Sequence, residues 1–242
     1  MRIYFVVFCL ILFSGLSLSA QNDWNKTNAK GQKTGPWKQL HKNGKLRYTG
    51  QFKDGIPVDT FRYFTEDGKI ASLLIYKSNG YCNAYLYYEN GDLKAMGNYH
   101  NQKKDGIWKY YNRAQVLITE ESFKDSVKNG IWKIYFENGK LASESNWLNG
   151  KLNGLMKEYF ENGNLKLSCN YVNDKLHGDY IAYFENGKQL IVGKYNLGVI
   201  EGKWIHFLED GKQEKVLYYV GGRLKKEEIY KNGTINNTIN YR

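Results

Sequence analysis

The sequence predicts an all-β protein: tandem hairpin repeats of about 24 residues forming an elongated twisted sheet or solenoid. Three observations carry this reading. First, a glycine recurs at Gly44, Gly68, Gly91, Gly139, Gly163, Gly187 and Gly211, with Gln115 at the missing place; every step is 24 residues except the 23 between Gly68 and Gly91. A fixed period of this size marks a repeat architecture. Second, two aromatic-rich columns keep the same period: Phe52, Tyr76, Tyr99, Phe123, Trp147, Tyr171, Tyr195 and Tyr219 after each marker, and Leu40, Phe64, Tyr87, Tyr111, Tyr135, Tyr159, Tyr183 and Phe207 before it. Third, 21 Tyr and 25 Gly against 2 Pro, with frequent Asn-Gly, suit short strands joined by tight turns.

The chain opens with Arg2, an apolar run from Ile3 to Phe13, and small residues up to Ala20. This is the layout of a secretory signal, residues 1–20, with cleavage expected after Ala20 or Ser19. The apolar run is short for a membrane span. Residues 21–34 read as an N-terminal linker and 35–242 as the repeat array, about eight hairpin units plus a short terminal unit begun at Gly233. The expected location is therefore periplasmic, outer-envelope or extracellular.

Within a unit, Glu137-Asn-Gly-Lys140 predicts a two-residue type I′ turn at Asn138-Gly139. That register sets Phe136 against Leu141, Trp132 against Ser145 and Gly130 against Trp147. Alternation then puts Trp132, Ile134 and Trp147 on a packing face and Lys133, Tyr135 and Glu144 on the other. Large opposite small recurs across the packing face, Trp37 against Gly50, Met156 against Cys169 and Tyr180 against Gly193, so that a ring covers a gap in the pleat. Trp108 against Glu121 breaks the pattern. Between hairpins, stretches such as Asn149–Gly154 and Asn173–Gly178 read as loops of about six residues. Two strands advance the stack by roughly 10 Å, so eight units span on the order of 80 Å. Cys82 and Cys169 then lie roughly 30 Å apart, too far to bridge; two free thiols are expected.

The segment Tyr171-Val-Asn-Asp-Lys-Leu-His-Gly-Asp-Tyr-Ile-Ala-Tyr-Phe-Glu-Asn-Gly187 resembles the MORN repeat superfamily in its bacterial repeat variant, and the likeness extends over about residues 35–242. The resemblance implies a hairpin-repeat fold. It also implies kinship with an antitoxin-like (YwqK-type) group, and with arrays that scaffold proteins or contact membranes.

No chemistry rises above the repeat. His41, His100, His177 and His206 fall in different units, without metal-ligand spacing. The turn carboxylates, such as Glu137, step by roughly 10 Å, too wide for a glycosidase pair; pairing with Lys69, Lys140, Lys188 or Lys212 across the turn is the expected role. No nucleophile elbow is present, and no unit departs from the pattern to suggest a pocket. The expectation is a non-enzymatic protein without cofactor, metal or catalytic residues. The formal net charge is +11. Lys38, Arg62, Lys109, Lys133 and Lys157, beside Tyr111, Tyr135 and Tyr159, form a candidate cationic and aromatic binding face. An exported scaffold with a protein partner is the first reading. An envelope binder of anionic lipid headgroups or glycans is the alternative. Nucleic acid is not expected, given export.

Overall fold

The computed structural model describes residues 23–242. The signal segment 1–20, its cleavage site and the first linker residues 21–22 lie outside the described residues. Strand β1 (Lys26–Thr27) precedes four hairpins: β2 (Lys33–Leu40) with β3 (Leu46–Lys53), β4 (Ile56–Phe64) with β5 (Ile70–Tyr76), β6 (Tyr81–Tyr87) with β7 (Leu93–His100), and β8 (Lys103–Tyr111) with β9 (Leu117–Lys124). After β10 (Val127–Lys128) come β11 (Gly130–Tyr135) with β12 (Leu141–Leu148), β13 (Lys151–Tyr159) with β14 (Leu165–Val172), β15 (Lys175–Tyr183) with β16 (Gln189–Asn196), and β17 (Val199–Phe207) with β18 (Gln213–Val220). A last hairpin joins β19 (Arg223–Lys231) to β20 (Thr234–Asn240). All twenty strands belong to one antiparallel sheet. Each pairs with its neighbours along the chain, the short β10 aside: β9 contacts both β10 and β11. The molecule is therefore an open twisted sheet of hairpins. Lys26–Thr27, within the expected linker, already pairs with Thr34 and Lys33.

The turns differ from the sequence expectation in a systematic way. At the marker, Gly139 N–H donates to Phe136 O and Phe136 N–H to Lys140 O. Gly139 has φ 80° while Asn138 is not left-handed. This is a three-residue loop, a turn followed by a left-handed glycine, and it shifts the register by one. A bulge between Ile134 and Tyr135 shifts it back. Trp132↔Ser145 and Gly130↔Trp147 therefore stand as expected, whereas Tyr135, not Phe136, faces Leu141. Two-residue turns with both central φ positive lie at the opposite border instead, at Asp54-Gly55, Asn149-Gly150 and Leu197-Gly198 among others. The expected six-residue loops are thus mostly strand: Leu148 pairs directly with Lys151.

The asparagine of the marker turn has two tasks. Asn162 Oδ1 accepts from Asn164 N–H, closing the local turn, and its Nδ2 donates to Glu185 O of the next unit. Lys45, Lys140 and Lys188 likewise reach backbone carbonyls one unit on, at Asp67, Asn162 and Asp210. Of the lysines expected to pair across their own turn, Lys140 and Lys188 reach onward instead, whereas Lys69 and Lys212 do pair within it, with Asp67 and Asp210 rather than with the turn glutamates.

With one layer, few side chains are fully covered. Trp108, Phe61, Val216 and Cys169 are the largest, and Trp204 is nearly covered at 5% exposed. The three rings lie over Gly97, Gly50 and Gly193, which belong to the preceding strand rather than to the hairpin partner. Each indole also donates backward, Trp108 to Asn98 O and Trp204 to Lys194 O. Edge-to-face contacts such as Tyr99–Trp108 and Tyr195–Trp204 link successive rings. Cys82 and Cys169 are both buried and unbridged.

Candidate functional site

The predicted binding residues fall on one face, and cross-strand register joins the basic ones into a single row. It runs Lys38↔Thr49↔Arg62↔Leu73↔Tyr85↔Met96. It continues Met96↔Lys109↔Glu120↔Lys133↔Glu144↔Lys157. Beyond Lys157 it passes Ser168 and becomes apolar through Ile181, Val192, Ile205 and Val216. Successive strands bring paired side chains within contact distance, so the row is a continuous surface feature.

Its middle is bipolar. Lys109 Nζ lies 3.0 Å from Glu120 and Lys157 Nζ 3.7 Å from Glu144. Tyr135 donates its hydroxyl to Glu120 and Tyr159 to Glu144. Burial alone would raise the Glu120 carboxyl; hydrogen bonds from Lys109 and Tyr135 outweigh it and hold the group below its ordinary value. Burial, then the hydrogen bond to Glu120, pushes Tyr135 up to about 12. Tyr111 stands apart: its hydroxyl reaches only Met96 Sδ, at 3.9 Å, while its carbonyl accepts from Tyr88. Lys38 sits 5.3 Å from the Trp24 ring, and Arg62 is exposed.

The cationic and aromatic face expected from the lysine column is mixed in charge along its row. Glu120 and Glu144 interleave with the lysines, because each lysine of a first strand faces a second-strand residue on both sides. Each carboxylate pairs with the lysine of its own hairpin, Glu120 with Lys109 and Glu144 with Lys133; its contact with the lysine of the next unit emerges only when the two units are laid side by side. Further cations sit on the opposite face, where Lys33, Lys104 and Lys128 cover Trp37, Trp108 and Trp132 at 4.6, 4.6 and 4.0 Å. A lysine four residues before the tryptophan was the available signal. Among the described residues, no group of three His, Cys, Asp or Glu is placed to hold a metal ion, and no helix is long and apolar enough to cross a membrane.

An open sheet of tandem β-hairpins, each interlocked with the next through rings and turn amides, defines the class: a hairpin-repeat protein. The family model described as MORN repeat variant matches four segments, residues 33–54, 83–101, 128–149 and 152–173. These segments coincide with the hairpins β2/β3, β6/β7, β11/β12 and β13/β14. No curated protein matches the chain. Among solved structures, a TcdB2–TccC3–Cdc42 complex is similar over 85% of this chain and 14% of that chain, at 12% identity and a TM-score of 0.25. A TcdB2–TccC3 structure gives the same coverage and identity with a TM-score of 0.24. A GtfA/B complex bound to UDP and GlcNAc is similar over 60% of this chain and 26% of that chain, at 12% identity and a TM-score of 0.17. The chain thus spans a small part of each, and none of the three bears on function.

Proposed function

We propose that this protein is an exported, non-enzymatic scaffold that binds a protein partner through the Lys133 face of its sheet. The observation that supports the reading is the continuous row from Lys38 to Lys157, half-exposed for most of its length and held on paired strands. A rigid sheet presents such side chains in fixed positions, which lowers the ordering cost of binding. Alternating Lys109, Glu120, Lys133, Glu144 and Lys157 suit a partner carrying both signs of charge. They favour a protein over a uniformly anionic lipid or glycan surface. Tyr135 and Tyr159 add rigid amphipathic contact area. An antitoxin-like role, neutralising a toxic protein by capturing it, is one form of the same activity.

The test is cross-linking and pull-down from the envelope fraction with wild type, Lys133→Glu, and the swap Lys133→Glu/Glu144→Lys. A partner lost from both variants, with the fold intact, supports the row as the site. A partner set unchanged in both overturns it. Co-expression with products of adjacent genes checks the toxin-capturing form, which fails if none is toxic.

A further inference from the structure

The unit between Gly68 and Gly91 is one residue short, and the structure opens there. Lys77 N–H donates to Tyr81 O, so a three-residue loop, Ser78–Gly80, replaces the two-residue turn found between most other units. These residues form a short 3-10 turn, with Asn79 left-handed at φ 60°. The loop is fastened from the next border turn: Asn101 N–H donates to Gly80 O at 2.9 Å, and a side chain at Gly80 would collide with the Asn101 amide. His100 stacks on Tyr81 with ring centroids 4.4 Å apart. The opening is therefore held by specific contacts.

In the column where Phe61 and Trp108 cover their glycines, this unit carries Ala84, which faces Gly97 across the hairpin. A ring is missing from the row of rings, and a cavity of about 760 Å³ lies at this place on the Trp132 face. That volume is in the range of small-molecule sites. Val58, Leu74, Cys82 and Leu86 supply its apolar lining, and Tyr63, Tyr76 and Tyr99 add aromatic surface with hydroxyls. One charged residue lines it, Lys77, which is exposed on the loop and makes no ion pair among the described residues; no carboxylate lines it. An apolar interior with one cation at its border complements a ligand that is an apolar chain ending in an anion.

We propose that this cavity binds a single-chain amphipathic carboxylate, its chain against Val58, Leu74 and Leu86 and its carboxylate toward Lys77. The site is on the opposite face from the row described above, so its failure would leave the scaffold reading untouched, and the reverse also holds.

The experiment is calorimetric titration of the protein with decanoate, decanol and decylamine below their aggregation limits. Wild type, Lys77→Glu and Leu74→Trp are compared, with folding checked by circular dichroism and thermal melting. Decanoate should bind saturably at one site, with decanol about tenfold weaker, the scale of one charge-assisted hydrogen bond. Lys77→Glu should weaken decanoate by about tenfold or more on the same scale and invert the order of decanoate and decylamine. Leu74→Trp should fill the cavity and weaken all three. Absence of saturable decanoate binding overturns the site. Equal affinities for the three ligands, unmoved by Lys77→Glu, overturn the carboxylate assignment. If Leu74→Trp fails to fold, the Lys77→Glu comparison decides alone, since that residue is exposed on a loop.

Discussion

Trp204 lies across Gly193, its ring occupying the space where a side chain on that glycine would begin. The two residues stand on adjacent strands of different hairpins, so the contact joins one repeat to the next. The Trp204 indole N–H, bonded to Lys194 O at 3.2 Å, fixes the ring from its edge.

Gly193→Ala is therefore expected to be destabilising by about 1–3 kcal/mol, the range for forcing an extra group into a packed site. The cause is steric, because this glycine has no left-handed φ. Gly187→Ala makes the contrast: nothing lies within 4 Å of its added carbon, but its φ of +84° costs about 1–2 kcal/mol in a side-chain-bearing residue. In a repeat array each unit contacts only its neighbours. Hydrogen exchange should thus quicken in β16 and β17 for Gly193→Ala while β2 and β3 keep wild-type protection.

Gln115 occupies the marker place that glycine holds in seven other turns, with φ 61°. It is partly compensated by a hydrogen bond from its Nε2 to Leu93 O at 3.0 Å. That bond is exposed and weak, whereas the backbone penalty is about 1 kcal/mol. Gln115→Gly should stabilise the protein by about 0.5 kcal/mol after both effects. A rise in the denaturant midpoint with unchanged slope would show it; a fall would mean that the side-chain bond dominates.

The repeat and the register of Trp132 with Ser145 were legible because period and alternation are written in every unit. The turn types were not, because Asn-Gly serves both borders of the sheet. At Asn149-Gly150 both residues are left-handed; at Asn138-Gly139 only the glycine is. What separates them is the work of the asparagine side chain on the next unit, seen at Asn162, which a single hairpin does not display. The same limit hid the second contact of Glu120, with Lys133 across a unit boundary, although its pairing with Lys109 lies within one hairpin. It also hid the fact that Gly50 is covered by Phe61 rather than by Trp37. The cavity had a visible trace in the 23-residue step and in Ala84, but its walls come from three units at once. The candidate row was legible as a face and illegible as a charge pattern.

Cys169 is buried, and burial followed by the charge of Glu158 pushes its thiol up to about 11. Burial raises Cys82 as well. At pH 8 neither should react with Ellman's reagent in the folded protein. In guanidinium both should react. A third thiol, Cys9, should appear only if residues 1–20 are retained, so the count of two or three also reports whether the expected cleavage after Ala20 occurs. Fast reaction in the native state would contradict the burial of either residue.

The Lys109–Glu120–Tyr135 group predicts how stability depends on pH. Glu120 is held below its ordinary value of 4.5, so its contribution is present above that value and lost as pH falls through the depressed one. Lys109 is raised from 10.5, chiefly by its hydrogen bond to Glu120. Its contribution is present below that value and lost as pH rises through the raised one. Glu120→Gln removes the charge while keeping the shape. Wild type should exceed this variant by less than about 1 kcal/mol near neutrality, because the pair is partly exposed and screened. That margin should hold from about pH 6 to 9 and shrink toward zero in acid, where protonated Glu120 becomes equivalent to the amide. It should also shrink once the pH rises above 10.5, the ordinary value from which Lys109 is raised, as that amine loses its proton. Salt should narrow it at every pH. The measurement is the difference in urea midpoint between the two proteins across pH. A margin that grows in acid would mean that burial outweighs the bonds from Lys109 and Tyr135, and that the carboxylate is tolerated in the row rather than stabilised by it.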